Sequence, residues 1–248
     1  MEKTVLKPCS KRCVIFSETQ QRSKGVTKVI KTVFFKAFSM SKLRGTRPQN
    51  KGGLSLRQAK ARGKLLDSQL ARLVGDKSLL RAPPRACQET LLAMEFIRER
   101  GMYIEAAQRE VGYSDWRLAT SIDLVLRPVV ICDARDDERI VVEVKRGCLY
   151  RRMTVPNATS KHLRPAVPVS PLCMHQTQAL IGKRLLQLTD ESVPLGDCWL
   201  MYVDLINGVE CVTEPEFTVK WTDVSDLALQ LTSGRLASGR ARKQLKDK

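Results

Sequence analysis

The sequence predicts an α/β chain, with a central mixed β-sheet flanked by helices and with flexible basic N- and C-terminal ends. Three observations predict it. Segments with a helical period and apolar, strand-like runs follow one another in the order helix–helix–strands–helix–strands. The 248 residues are 43% hydrophobic, enough for one sizeable core. The charge is also uneven: residues 1–64 hold 17 Lys and Arg against Glu2 and Glu18, and residues 235–248 hold six against Asp247. Of the net +17, the ends therefore carry +15 and +5, which leaves −3 for residues 65–234.

The elements follow in chain order. Residues 1–50 show no sustained period and are rich in Lys, Ser and Thr, so they read as a mostly flexible extension. Its one apolar island, "VIKTVFFKAF", suits a short helix or strand. The domain proper is expected over 51–234, with a basic tail over 235–248. From Ser55, "SLRQAKARGKLLDSQLARLV" sets Leu65, Leu66, Leu70, Leu73 and Val74 near one helical face, and Gly75 supplies a stop. Pro83-Pro84 breaks the chain before a second helix, "ACQETLLAMEFIRERG". "YIEAAQREVGY" alternates as a strand. Two further strands are expected at 118–126 and 140–145, with "DARDDER" as the charged turn between them. A polar, proline-bearing loop covers 151–171, and the helix "MHQTQALIGKRLLQL" follows it. The strands "CWLMYVDLI" and "ECVTEPEFTV" come next, joined by Asn207-Gly208, a strong hairpin signal. A short helix around 223–233 precedes the basic tail.

Composition narrows the function classes. No window approaches the roughly 18 apolar residues that span a bilayer, so no membrane association is expected. The eight cysteines, at 9, 13, 87, 132, 148, 173, 198 and 211, form no Cys-x-x-Cys pair, and the chain has two histidines. That argues for reduced, buried thiols and against a zinc or iron–sulfur site. The basic ends suit a polyanion such as DNA or RNA, through residues such as Lys42, Arg44 and Arg47. They equally suit a targeting signal, and the scarcity of acids near the N-terminus also fits a mitochondrial presequence.

The stretch that carries chemistry is "LATSIDLVLRPVVICDARDDERIVVEVK", residues 118–145. Asp123 stands in one apolar run, and Glu143 and Lys145 in the next. Buried charges of this kind are costly unless paired or bound to a metal. Residues two apart in a strand face the same way, so Glu143 and Lys145 share a face. If the two strands pair as a hairpin, Asp123 approaches Glu143. Two carboxylates suit a hard ion such as Mg²⁺, with Mn²⁺ as a substitute, which takes water and phosphate oxygens as its remaining ligands. Lys145 is then placed to orient water or to offset charge on a phosphate. The alternative is an ordinary ion pair on an exposed sheet face.

These residues resemble the core of the PD-(D/E)XK nuclease superfamily, most closely its RecB-type and lambda-exonuclease-like branch. "TSIDLVLR" and "IVVEVKRG" match its metal-binding strands. "RGKLLDSQL" resembles its leading helix, where a glycine precedes an acid by four residues, here Gly63 and Asp67. "HQTQALIGKRLL" resembles the helix that carries a functional glutamine, Gln178 or in the other register Gln176, and "WLMYVDLINGVECV" resembles the closing strands. The likeness covers roughly residues 55–222. It departs at Gly182, where the branch often has an aromatic residue.

The resemblance implies a restriction-endonuclease-like core and a Mg²⁺-dependent deoxyribonuclease. Asp123, Glu143 and the Val144 carbonyl would be metal ligands, with Asp67 as a further ligand or water contact. Lys145 would be the catalytic lysine, and Gln178 would touch the lysine, the phosphate or the water. Arg62, Lys64, Arg146 and His175 would contact nucleic acid. The implied partners are DNA, as linear ends or single-stranded regions, and a second copy of the chain or a recombination or replication protein. An exonuclease in replication, recombination or repair is the favoured mode. A structure-specific endonuclease and a non-catalytic nucleic-acid-binding module stay open. The expected compartment is a nucleus, including a host nucleus for a viral protein, with the mitochondrial matrix as the alternative.

Overall fold

A computed structural model describes residues 6–10, 13–16, 21–22, 24–35, 56–130, 137–147, 154–155, 158–213 and 215–232. Lys42, Arg44, Arg47, most of the turn at 133–139 and the tail at 235–248 lie outside the described residues.

At the N-terminal end, β1 (Leu6–Ser10), β2 (Cys13–Phe16) and β3 (Gln21–Arg22) form a small antiparallel sheet. β4 (Lys24–Gly25) leads into α1 (Val26–Val29), which continues as a π-helical turn over Ile30–Phe34. Helices α2 (Leu56–Ala71) and α3 (Gln88–Glu99) precede the long strands β5 (Met102–Tyr113), β6 (Leu118–Pro128) and β7 (Arg139–Arg146). Three two-residue strands follow, β8 (Thr159–Ser160), β9 (Leu163–Arg164) and β10 (Val167–Pro168). Then come α4 (Pro171–Thr189), β11 (Leu195–Asp204), β12 (Gly208–Val212), β13 (Thr218–Val219) and α5 (Trp221–Thr232).

The central sheet runs β5–β6–β7–β11–β12. It is mixed: β7 and β11 are parallel and the other neighbours antiparallel. β4 adds a short parallel pairing to the start of β6, Lys24 to Leu118 and Gly25 to Ala119. One face of the sheet packs Leu124, Leu126, Val142, Val144 and Met201 against Leu66 and Leu70 of α2 and Ala93 and Ile97 of α3. The other packs Leu118, Ile122, Val125 and Val141 against Ala179, Ile181 and Leu185 of α4. The result is a helix–sheet–helix sandwich, the architecture the periodicities predict.

Turn chemistry closes the elements where the sequence places it. Gly75 and Gly101 take left-handed backbone (φ +82° and +62°) after α2 and α3, a conformation glycine enters without steric cost. β11 and β12 form the expected hairpin, with Asp204 opposite Gly208.

Four expectations need correction. Residues 24–35 depart from a mostly flexible first fifty, because Val26, Val29, Ile30, Phe34 and Phe35 are buried in the α4-side core. The span 151–171 is more than a loop: β8, β9 and β10 lie in it, and Val155, Leu163, Val167 and Val169 join the same core. "ECVTEPEFTV" splits between β12, in the central sheet, and β13, which pairs with β9. On α2 Leu66 and Leu70 are buried whereas Leu65 is exposed, and in the turn after it Leu73 is buried and Val74 exposed, so the apolar face is narrower and shorter than expected.

Candidate active site

The hairpin of β6 and β7 pairs Leu126 with Ile140, Val125 with Val141 and Leu124 with Val142, and the ladder stops there. The same register sets Asp123 opposite Glu143, at the point where the strands part. On its other side β6 pairs with β5, and that ladder also passes over Asp123, from Leu124 (with Ala107) to Ile122 (with Arg109). The side-chain alternation slips at the same place. In a regular strand Ile122 and Leu124 share a face, yet Ile122 packs on the α4 side and Leu124 on the α2–α3 side. Asp123 is the pivot of that slip.

Released from the ladder, the Asp123 carboxylate takes the place of a backbone partner. Its Oδ2 accepts the Val144 N–H at 2.9 Å. β7 then presents Glu143 and Lys145 towards α4. The Lys145 ammonium donates to Glu143 Oε1 and lies 3.9 Å from Asp123 Oδ2. From α4, Gln178 Nε2 donates to Glu143 Oε1 at 2.6 Å. The Ser170 hydroxyl caps this helix by accepting the Cys173 N–H at 3.1 Å, and Pro171 opens its first turn, so the register of α4 is fixed close to the site. Gln178, and not the buried Gln176, is therefore the glutamine facing the carboxylates. At Gly182 an added Cβ would meet Ile122 and Thr120 at ordinary contact distance, so a larger residue there would press on β6.

Burial shapes the electrostatics. Glu143 is 4% exposed, and desolvation with the nearby Asp123 charge pushes its pKa up to about 8, against the opposing pull of Lys145. Burial works against the Lys145 charge, but the Glu143 and Asp123 carboxylates outweigh it and raise its pKa. Asp67 on α2 is raised to about 6, by burial first and by Asp123 second.

Asp123, Glu143, Lys145 and Gln178 thus converge, with Asp67 within electrostatic reach. Among the described residues no group of three or more His, Cys, Asp or Glu side chains is placed to hold one metal ion. The donor set is two carboxylates and neighbouring backbone. That set fits Mg²⁺, which commonly binds one or two protein carboxylates and keeps water or phosphate for the rest. The position of Lys145 supports the fit, since the carboxylate pair already draws a cation to itself.

The nucleic-acid residues divide. Arg62 and Lys64 are exposed on α2. Arg146 donates through Nε to Glu89 Oε1 at 2.8 Å, and Glu89 is a buried acid in the first turn of α3. Burial disfavours the Glu89 charge, but the hydrogen bond and charge of Arg146 prevail and hold the carboxyl below its ordinary range. His175 Nδ1 is 3.0 Å from the Tyr202 hydroxyl, and burial beside the Lys145 charge pushes its pKa down to about 3. It is neutral and brings no cation to a phosphate.

Sequence reasoning missed Tyr202, Glu89 and Gln108. Tyr202 pairs with Lys145 across the parallel β7–β11 ladder, and its signal was a hydroxyl-bearing aromatic inside an otherwise apolar strand. Glu89, an acid in a helical first turn, reads as an ordinary dipole contact. Gln108, a polar residue in an alternating strand, gave no signal; its Nε2 lies 3.4 Å from Asp123 Oδ1.

Of the described cysteines, Cys87, Cys173, Cys198 and Cys211 are free, and burial raises the thiols of Cys198 and Cys211 to about 12 and about 11. Among the described residues no helix is long and apolar enough to cross a membrane. Comparison with family models finds no match for this chain, and no curated protein matches it.

Proposed function

We propose that this chain is a divalent-metal-dependent DNA nuclease of PD-(D/E)XK type, favouring DNA ends as an exonuclease. One observation carries the reading: two carboxylates, a lysine and a glutamine converge where a strand pair parts, with Glu143 almost wholly buried. Two carboxylates brought together at a largely buried point, with one lysine between them, are costly in a purely structural role.

In this reading Asp123, Glu143 and the Val144 carbonyl hold Mg²⁺, with Mn²⁺ as a substitute. A bound ion supplies charge neutralisation and a more acidic water. The protein does the rest. Lys145, which contacts Glu143, would serve the attacking water or the phosphate oxygens. Gln178 keeps the Glu143 carboxylate oriented. Asp67 holds water at the rim, and exposed Arg62 and Lys64 meet the DNA backbone. Arg146 works indirectly: paired to Glu89, it ties the end of β7 to α3 and steadies Lys145 beside it.

The test is incubation of the full chain with end-labelled linear DNA and closed circular DNA, with Mg²⁺ and with a chelator. The expected result is Mg²⁺-dependent loss of linear DNA while circles survive. Cutting of circles would move the reading to an endonuclease. Asp123→Asn, Glu143→Gln and Lys145→Ala should each reduce cleavage to background while DNA affinity is largely kept. Gln178→Ala, which loosens geometry without removing a reacting group, should cost roughly 10–100-fold. Wild-type cleavage by all three of the first variants would refute the reading.

A further inference from the structure

Asp123 drops out of the β-ladder on both flanks, and the residue facing it from β5 is Gln108. The Gln108 backbone lies at φ +51°, in the middle of a twelve-residue strand. Left-handed backbone is unfavourable for a residue with a side chain, and glutamine has no special tolerance for it. Such conformations persist where the surroundings over-determine them, and they cluster at functional sites. Core packing does not require this one, because Gln108 is exposed.

The side chain shows what the conformation achieves. Gln108 Nε2 donates to Asp123 Oδ1 at 3.4 Å, and its Oε1 accepts from the Ser121 hydroxyl at 3.4 Å. The other Asp123 oxygen, Oδ2, is held by the Val144 N–H at 2.9 Å. The two carboxylate oxygens are thus met from opposite sides, by Gln108 on β5 and by the Val144 backbone on β7. The carboxylate, which only accepts, fixes which end of the Gln108 amide faces it, and leaves the amide oxygen to accept from the Ser121 hydroxyl.

We propose that Gln108 is a positioning residue for Asp123. Its strained backbone carries the amide onto Oδ1, locks the rotation of the carboxylate and aims the remaining lone pair at an incoming divalent cation, with Ser121 holding the amide in turn. The proposal rests on the nuclease reading above, and it predicts that strain and function trade against each other at this one position.

The test compares wild type, Gln108→Gly and Ser121→Ala as full chains, measuring thermal melting without metal, Mg²⁺ affinity by calorimetry with MgCl₂ alone, and cleavage of linear DNA. Glycine removes the amide and relieves the strain. Gln108→Gly should therefore melt at or above the wild-type temperature, bind Mg²⁺ roughly tenfold more weakly and need correspondingly more Mg²⁺ for half-maximal cleavage. Ser121→Ala should shift Mg²⁺ affinity in the same direction by less. A folded Gln108→Gly with unchanged Mg²⁺ affinity would overturn the proposal, because a purely structural residue moves stability and not ion binding. If Gln108→Gly fails to fold, Gln108→Asn is read the same way: asparagine accepts left-handed backbone, and its amide is one carbon short. If the wild type binds Mg²⁺ but cuts no DNA, the nuclease reading falls and the affinity comparison still decides the role of Gln108. If the wild type binds no Mg²⁺, both fall.

Discussion

At His175 the protein suppresses a charge that the free side chain would carry below pH 6.5. Burial and the neighbouring Lys145 ammonium push its pKa down to about 3. The unfolded chain therefore binds a proton between about pH 6.5 and 3 that the folded chain refuses. The contribution of this residue to stability is complete above pH 6.5 and is lost as pH falls towards 3, by at most about 1.4 kcal/mol per pH unit. Asp67 and Glu143 act in the opposite sense, since their raised pKa values favour the folded state as pH falls. The two effects are separable by variant. His175→Gln should flatten the acid limb of a plot of urea-unfolding free energy against pH. A limb of unchanged slope would show that His175 titrates normally in the folded protein. A nearby feature has the same economy: His175 and Lys145 both lie beside Tyr202, so one buried aromatic supports a neutral ring and adjoins a cation.

The elements show what a sequence can and cannot reveal. α2, α3, α4 and the long strands are legible because each buries one face over many residues, and repetition makes a period visible. Asp123, Glu143 and Lys145 are legible because charge inside an apolar strand is rare. The segment at 24–35 was legible only in part: its apolar island suits the short helix found there, but its place in the core left no mark. Its strand is two residues long, its helix changes from α to π within one turn, and its partners lie in β6 and α4, far along the chain. None of these leaves a period. β8, β9 and β10 were hidden for the same reason. Gln108 escaped notice because its role depends on a backbone angle, which the residue type does not encode. The packing of residues 24–35 is testable through Phe35, which is 0% exposed. Phe35→Ala should cost about 3–5 kcal/mol in urea unfolding. A cost below about 0.5 kcal/mol would mark the segment as peripheral.

For the whole molecule, the burial of residues 24–35 changes how the basic ends can be studied. Deleting residues 1–50 would remove core side chains, so loss of DNA binding by that truncation would report unfolding as readily as lost phosphate contacts. The C-terminal tail is the cleaner probe. Removing 233–248 takes away six Lys and Arg with Asp247 and no residue that packs in either described core. If the tail holds phosphates, the truncated chain should bind duplex DNA more weakly. The slope of log affinity against log salt should then become shallower by about 0.9 for each phosphate released. Turnover at saturating substrate should stay near wild type, because the tail adds no group to the transition state. Fluorescence anisotropy at several salt concentrations measures the slope, and an unaltered slope would remove the tail as a DNA contact.

The pairing of Lys24 and Gly25 with the start of β6 also sets an order of events during synthesis. Their strand partner leaves the ribosome only after α2, α3 and β5, and their packing partners in α4 later still. Until then the apolar side chains of Val26, Ile30, Phe34 and Phe35 have no core to enter. The nascent chain must therefore carry an unsatisfied hydrophobic segment until α4 has been made, an exposure that invites aggregation or chaperone capture. Closing so distant a contact is entropically slow. Docking of residues 24–35 onto β6 and α4 is thus the natural late step in folding of this sheet.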